Sequence, residues 1–172
     1  MKRHVVLIGL PGSGKSTVGR LVAERLGAAF VDIDAIIERR EGRPIALIFA
    51  EKGEAAFREM ERKEMETTLA AEPAVIAPGG GWAAQSGAID GAKPHALVIY
   101  LRTPPETATQ RAAPEGTRPA LSGEDPVARM RLLHKDREPF YRGAHAQVDT
   151  DRKSPSQVVN EVVRLAQSSA GW

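Results

Sequence analysis

The chain has 172 residues, of which 42% are hydrophobic and 27% are charged, and it contains no cysteine. This composition excludes a disordered, collagen-like or fibrous chain, and the missing thiols exclude disulfides and thiolate metal sites. The formal net charge is only +2, from 24 basic and 22 acidic residues, which is too small a surplus to indicate nucleic-acid binding. No apolar run is long enough for a membrane span or for the core of a signal peptide. We therefore expect a soluble, cytoplasmic protein with no nucleic-acid or membrane partner.

Hydrophobic patterning predicts strands that alternate with helices along the chain. The continuous apolar run at 5–8 predicts a strand buried on both faces, and 16–26 has apolar residues at helical spacing, ended by Gly27. A second strand is predicted at 29–33, which completes a strand–helix–strand unit. The elements predicted after this unit are helices within 35–69, a strand at 75–77, a strand at 95–101, a helix at 104–111, a helix at 125–138, a strand at 146–149 and a helix at 154–167.

The segment 112–124 is rich in glycine and proline and predicts a loop. A loop of this length inside a compact domain is usually functional. The alternation of strands and helices predicts one α/β domain over 1–172, with three α/β/α layers around a parallel sheet of about five strands.

The segment 9–16, GLPGSGKS, satisfies the phosphate-binding pattern G-x-x-x-x-G-K-[ST] at every position. Glycines let backbone N–H groups turn toward phosphate oxygens, and the helix that follows adds the positive end of its dipole. Lys15 supplies a charge for the β- and γ-phosphates, and the Ser16 hydroxyl is a hard-oxygen ligand for Mg²⁺. The chain is therefore predicted to bind a nucleoside triphosphate.

Asp32 and Asp34 come at the end of the second predicted strand, two residues apart and so on one side of it. Ligands of open α/β sheets bind at the carboxyl ends of the strands, so both acids are expected near the phosphate loop. One carboxylate can hold Mg²⁺ through a water, and the other can orient or deprotonate an acceptor hydroxyl. The alternative is that Asp34 only caps a helix that begins at Ala35.

Other charged and aromatic residues have ordinary explanations when each is considered alone. Arg58 has Glu54 and Glu61 at helical spacing, which indicates a solvated ion pair. Arg118 lies in the predicted loop, where an arginine could neutralise phosphate charge on closure. Trp82 is either a core anchor or part of the rim of the site.

The combination of these motifs resembles the shikimate kinase family. The matching stretches run in family order over most of the chain: 9–17, Asp32-Ile33-Asp34 with Glu38, Gly53-Glu54, Phe57-Arg58-x-x-Glu61, Gly79-Gly80-Gly81, Arg118-Pro119-x-Leu121 and Arg137-x-Pro139-x-Tyr141. The resemblance implies a P-loop kinase fold with a lid at about 112–124 and a substrate-binding helical region at about 34–71. It also implies ATP-dependent phosphorylation of the 3-hydroxyl of shikimate by a monomeric enzyme that uses Mg²⁺.

Residue roles follow from the same resemblance. It implies that Asp34 binds shikimate hydroxyls and acts as the base, that Arg58 and Arg137 hold the carboxylate, and that the backbone of 79–81 approaches the ring. The residues that it implies for ATP are Gly12, Ser13, Gly14, Lys15, Ser16, Thr17, Arg118 and, along the adenine, Arg111 and Lys153, with Ser16 and Asp32 on the metal. Lys15 and Arg118 would stabilise the phosphoryl group during transfer.

Two rival functions are weaker. A kinase for another small molecule such as gluconate would keep the phosphate loop but has no need for the arginines and the glycine triplet in this order. A non-catalytic sensor module would be expected to lack an acid or to include a DNA-binding segment, and the sequence shows neither feature.

Overall fold

A five-stranded parallel sheet forms the centre of the computed structural model, which describes residues 1–112 and 125–172. The strand order is β2-β3-β1-β4-β5, and every neighbouring pair is parallel. In register, Val5 of the central strand lies opposite Val75 on one side and Leu97 on the other. The strands are β1 (His4–Ile8), β2 (Phe30–Asp32), β3 (Val75–Ala77), β4 (Ala96–Arg102) and β5 (Ala146–Asp149).

Helices connect consecutive strands, as parallel pairing requires. They are α1 (Lys15–Leu26), α2 (Ile33–Glu41), α3 (Ile45–Lys52), α4 (Glu54–Leu69), α5 (Ala88–Ala92), α6 (Pro105–Ala112), α7 (Pro126–Tyr141) and α8 (Pro155–Ser169), with a 3₁₀ turn at Trp82–Ala84. In the described part of the chain, no helix is long and apolar enough to cross a membrane.

The sheet divides the apolar core into two layers. Alternate residues of β1 point to opposite faces, so Val6 and Ile8 belong to one cluster and Val5 and Leu7 to the other. Helices α1 and α8 cover the second face, and the remaining helices pack over the first. The predicted α/β/α sandwich with five parallel strands is therefore confirmed.

Most predicted elements are present, and two predictions near the second strand are wrong. Strand β2 is one residue shorter at each end than the predicted 29–33. It ends at Asp32, because the Asp32 carboxylate accepts the Ala35 N–H at 3.2 Å and caps α2. Asp34 therefore lies in the first turn of a helix that begins at Ile33, so it is neither a strand residue nor the cap. The 3₁₀ turn and α5 were not predicted.

The loop predicted at 112–124 lies outside the described residues, apart from Ala112 at the end of α6. The same holds for Arg118, Pro119 and Leu121. Trp82 is 5% exposed and belongs to the core cluster, so of its two predicted roles the structure supports the core anchor.

Candidate active site

Three neighbouring strands end at one cleft. β1 leads into the phosphate loop, β2 ends at Asp32, and β3 is followed by Pro78 and the glycine triplet 79–81. Because the strands are parallel, their carboxyl ends meet at one edge of the sheet, and the crevice there is where α/β proteins bind ligands. The cleft has a volume of ≈ 590 Å³.

The phosphate loop depends on glycine at two positions where the backbone has positive φ. Gly12 has φ +81°, and a Cβ there would meet the Ala108 carbonyl group, whose carbon would lie at 3.0 Å. Gly14 has φ +95° and is the N-cap of α1, with no side chain that caps the helix. The first N–H groups of α1 thus point at the cleft without a side-chain acceptor, as expected of an anion site. Ser13 is buried in the loop, and Thr17 is exposed on the first turn of α1.

Lys15 is the first residue of α1 and is only 8% exposed. Its Nζ donates to the Gly9 carbonyl at 2.8 Å and to the Leu10 carbonyl at 2.9 Å. These bonds hold the ammonium over the loop, within the lining of the cleft. A phosphate oxygen carries a full negative charge and would compete with neutral carbonyls for the same ammonium.

Ser16 and Asp32 lie together beside Lys15. The Ser16 hydroxyl donates to Asp32 Oδ2 at 3.3 Å, while Asp32 Oδ1 caps α2. No group of three or more histidine, aspartate or glutamate side chains in residues 1–112 and 125–172 could hold a metal ion. One hydroxyl and one carboxylate fit Mg²⁺, which usually keeps several waters and takes further oxygens from the phosphates of its substrate.

Asp34 also lines the cleft, and its carboxylate lies near Glu61 of α4. A Cβ built on Gly79 would lie 2.8 Å from Asp34 Oδ1 and against Glu61 Oε2, so the two carboxylates approach each other beside the glycine triplet. Asp32 and Asp34 both line this cleft, as predicted. They do so because Asp34 lies in the first turn of the helix that Asp32 caps, and not because the two alternate along a strand.

Arg58 of α4 lies in a partly buried position with its side chain 16% exposed. Its Nη1 donates to Glu61 Oε1 at 3.0 Å, whereas Nη2 reaches Glu54 Oε1 only at 3.5 Å. The guanidinium carbon also lies 5.3 Å from the Phe57 ring centre and 5.9 Å from that of Phe49, so aromatic faces help to fix its plane. The spacing predicts a solvated ion pair, whereas in the structure Arg58 makes a weak contact with the exposed Glu54 and a buried contact with Glu61.

Glu61 was not predicted as a site residue, yet it is the most buried acid of the cleft. Its side chain is 1% exposed, and burial raises its pKa to about 7 against the opposing effect of Arg58. The negative charge of Asp34 adds to the increase. The Arg58-x-x-Glu61 spacing could have indicated the pair, but spacing alone does not show that this helix face is turned inward.

The glycine triplet forms a tight wall because its backbone groups are anchored. The Gly79 carbonyl accepts the Trp82 N–H at 3.1 Å, the Gly80 carbonyl accepts the Tyr141 hydroxyl at 2.8 Å, and the Gly81 carbonyl accepts the Ala84 N–H at 3.2 Å. A Cβ on Gly81 would lie 2.7 Å from Arg58 Nη1, so any side chain there would displace the guanidinium.

Arg137 of α7 faces Gly80 from the other side of the cleft. A Cβ on Gly80 would lie 3.0 Å from Arg137 Nη1. The structure thus brings together most of the residues singled out in the sequence: Lys15, Ser16, Asp32, Asp34, Arg58, Gly79, Gly80, Gly81 and Arg137 all line one cleft. Two arginines, one lysine and several acids in a space of this size suit a small polar anion together with phosphate groups.

Arg111 and Lys153 do not line this cleft. Arg111 Nη1 donates to Thr150 Oγ1 at 3.3 Å beyond the end of β5, and Lys153 pairs with Glu161 of α8 at 3.0 Å. Their predicted contacts with adenine stay predictions. Arg118 lies outside the described residues, so its predicted role also stays a prediction.

Comparison with known proteins assigns the family. A family model described as shikimate kinase matches residues 11–167. This chain belongs to the shikimate kinase family. A shikimate kinase of Symbiobacterium thermophilum is 44% identical over 95% of this chain and 96% of its own length, and one of Mycobacterium avium is 42% identical over 95% and 93%.

Solved structures of shikimate kinases show the same fold. Shikimate kinase from Acinetobacter baumannii in complex with shikimate has a TM-score of 0.92 at 36% identity, covering 98% of this chain and 94% of that one. A gluconokinase from Sinorhizobium meliloti has a TM-score of 0.63 at 20% identity, covering 99% and 94%, and this likeness shows the fold alone.

Proposed function

We propose that this shikimate kinase transfers the γ-phosphoryl group of ATP to the 3-hydroxyl of shikimate. The observation that carries the proposal is the convergence of Asp34, Arg58, Arg137 and the glycine triplet on the cleft that the phosphate loop borders. A shikimate complex of the Acinetobacter baumannii enzyme, at a TM-score of 0.92, supports the choice of acceptor.

Two planar guanidinium groups fit the carboxylate of the acceptor. Arg58 extends from α4 and Arg137 from α7, and both line the same cleft beside Gly79–81, where the missing side chains leave room for a ring. Arginine binds carboxylate with two parallel hydrogen bonds, which fixes orientation as well as position. A ring held in this way would present a hydroxyl to Asp34, and the backbone N–H of Gly80 could donate to it.

The transfer step needs little covalent chemistry from the protein. Asp34 takes the proton of the attacking hydroxyl, the hydroxyl oxygen bonds to the γ-phosphorus, and the bond between that phosphorus and the bridging oxygen breaks to release ADP. Lys15 and the N–H groups at the start of α1 stabilise negative charge on the phosphates. Ser16 and Asp32 would hold Mg²⁺, which supplies charge neutralisation on the phosphate oxygens when it is bound.

The direct test is ADP release by the purified protein with ATP and Mg²⁺, in the presence of shikimate, gluconate or no acceptor. We expect release that depends on shikimate and on the metal, so that EDTA abolishes it and added Mg²⁺ restores it. Release that depends on gluconate alone would contradict the proposed acceptor while leaving the phosphate site intact.

Asp34→Asn tests the proposed base. Removing a general base usually costs about 10²–10⁴-fold in rate, so we expect kcat to fall at least about 100-fold while the Kd for ATP stays within about twofold. Asp90→Asn, on the exposed surface of α5, is the matched control and should retain full activity. Turnover of Asp34→Asn similar to that of the control would show that this carboxylate is not the base. The predicted monomer, cytoplasmic location, lid and domain boundaries stay predictions.

A further inference from the structure

We propose that the buried hydroxyl of Tyr141 is a positioning group that fixes the backbone of Gly80 against the Arg137 guanidinium and thereby sets the affinity of the cleft for the acceptor carboxylate. This inference rests on the proposed function. It concerns a residue that does not line the cleft but donates a hydrogen bond to Gly80, which does, beside Arg137.

Tyr141 connects two elements that are distant in the sequence. It is the last residue of α7, it is fully buried, and its hydroxyl donates to the Gly80 carbonyl at 2.8 Å. Arg137 lies one helical turn earlier on the same face, and its guanidinium lies against Gly80, where a Cβ would be 3.0 Å from Nη1.

The hydrogen bond from Tyr141 to Gly80 ties the glycine triplet to an element outside its own segment. The Gly79 and Gly81 carbonyls accept N–H groups of the following 3₁₀ turn, whereas the Gly80 carbonyl is held by α7. Pro139 inside α7 has no N–H to donate to the Lys135 carbonyl, so the helix around Arg137 has one backbone hydrogen bond fewer. The Tyr141 hydroxyl therefore fixes the wall against which the Arg137 guanidinium lies.

The hydroxyl is itself held rigidly. The Tyr141 ring packs against the Tyr100 ring of β4 with centres 4.9 Å apart, and the Tyr100 hydroxyl donates to Glu138, the residue that follows Arg137 in α7. Burial raises the pKa of Tyr141 to about 12, so the group stays protonated and remains a donor at working pH. Tyr100 and Tyr141 thus both anchor α7, but of their two hydroxyls only that of Tyr141 bonds to a residue that lines the cleft.

Tyr141→Phe removes the oxygen and keeps the ring. We expect the Kd for shikimate and its KM to rise about tenfold or more, because the Gly80 carbonyl loses its donor and the wall beside Arg137 is no longer fixed. The KM for ATP should stay within about twofold and kcat should change less than the shikimate KM. The matched control is Tyr100→Phe, which removes the other hydroxyl of the pair and should leave the shikimate Kd within about twofold.

Thermal unfolding and ATP binding check that both variants fold. A Tyr141→Phe protein that binds shikimate as tightly as wild type, or that loses ATP and shikimate affinity equally, would overturn the inference. Equal losses in the two variants would also overturn it, because the effect would then come from the packing of α7 in general. Wild-type protein that neither binds nor phosphorylates shikimate would instead overturn the proposed function, and the inference with it.

A second measurement does not require Tyr141→Phe to fold. The chain has two tyrosines, so the Tyr100→Phe protein made with 3-fluorotyrosine contains a single fluorine probe, at Tyr141. We expect its ¹⁹F resonance to shift when shikimate is added, because the carboxylate binds Arg137 beside Gly80, to which the phenol donates. A resonance that does not move at saturating shikimate would mean that Tyr141 is not coupled to the carboxylate site.

Discussion

The buried carboxyl of Glu61 predicts a pH dependence of stability that one substitution removes. Its pKa is raised to about 7 by burial, compared with an ordinary value of 4.5. A carboxyl with a raised pKa in the folded state favours folding while it is protonated. That contribution is complete below pH 4.5 and is lost as the pH rises through about 7.

The magnitude follows from the shift in pKa. One pKa unit corresponds to about 1.4 kcal/mol, so the full loss is on the order of 3 kcal/mol, and most of it falls between pH 5 and pH 8. Glu61→Gln cannot ionise but keeps an oxygen that can accept from Arg58. We therefore expect the free energy of unfolding of wild type, relative to Glu61→Gln, to decrease by about 2–3 kcal/mol between pH 5 and pH 8.

Urea unfolding of both proteins at closely spaced pH values measures this difference. Glu66→Gln is the control, because Glu66 lies on the same helix with its side chain 63% exposed and pairs with Arg62 at the surface. Its stability should follow that of wild type at every pH. A constant difference between wild type and Glu61→Gln from pH 5 to pH 8 would refute the argument, as would a gap that grows in favour of wild type with rising pH.

Two further predictions concern the glycines. Gly81→Ala places a methyl group against the Arg58 guanidinium, so we expect the shikimate KM to rise at least about tenfold with little change in the KM for ATP; equal increases in both would argue against a local displacement. Gly12→Ala combines positive φ with a clash against the Ala108 carbonyl, and we expect loss of ATP binding by calorimetry and a clear drop in Tm. Gly27→Ala is the control, because Gly27 also has positive φ but has open space around it. We expect it to cost about 1–2 kcal/mol of strain and to leave ATP binding normal. Similar losses of ATP binding in the Gly12 and Gly27 variants would show that the clash is unimportant.

The sequence was sufficient to predict the fold because each element follows a local rule. β1 and β4 are continuous apolar runs, as strands covered on both faces require, and Gly27 ends α1 with φ +66°. Helix α5 was missed because it has five residues, two of them alanine and one glycine, and no periodicity that could be recognised. The end of β2 was misplaced because either aspartate could cap a helix, and only the backbone decides which one does.

The residue types of the site could be predicted from the sequence, but the burial of their side chains could not. The residue types of the phosphate loop indicate its function, so Lys15 and Ser16 could be predicted as site residues without a structure. The pair of Arg58 and Glu61 could not, since i,i+3 ion pairs usually lie on solvated helix faces. What the sequence lacks is the packing of α4 against the glycine triplet, which buries Glu61 and leaves only one edge of the arginine near solvent.

The two sides of the Arg58 guanidinium therefore differ, because Nη1 has a fixed partner and Nη2 has one that can be exchanged. Glu61, almost fully buried, accepts from Nη1 at 3.0 Å, whereas Glu54, 66% exposed, is 3.5 Å from Nη2. A surface ion pair of the second kind contributes about 0–1 kcal/mol, so a substrate carboxylate can replace Glu54 at small cost. Displacing Glu61 would leave a poorly solvated carboxyl without its cation, which is much less favourable. The geometry therefore favours a guanidinium that stays in place while its outer partner changes from a protein carboxylate to that of the substrate.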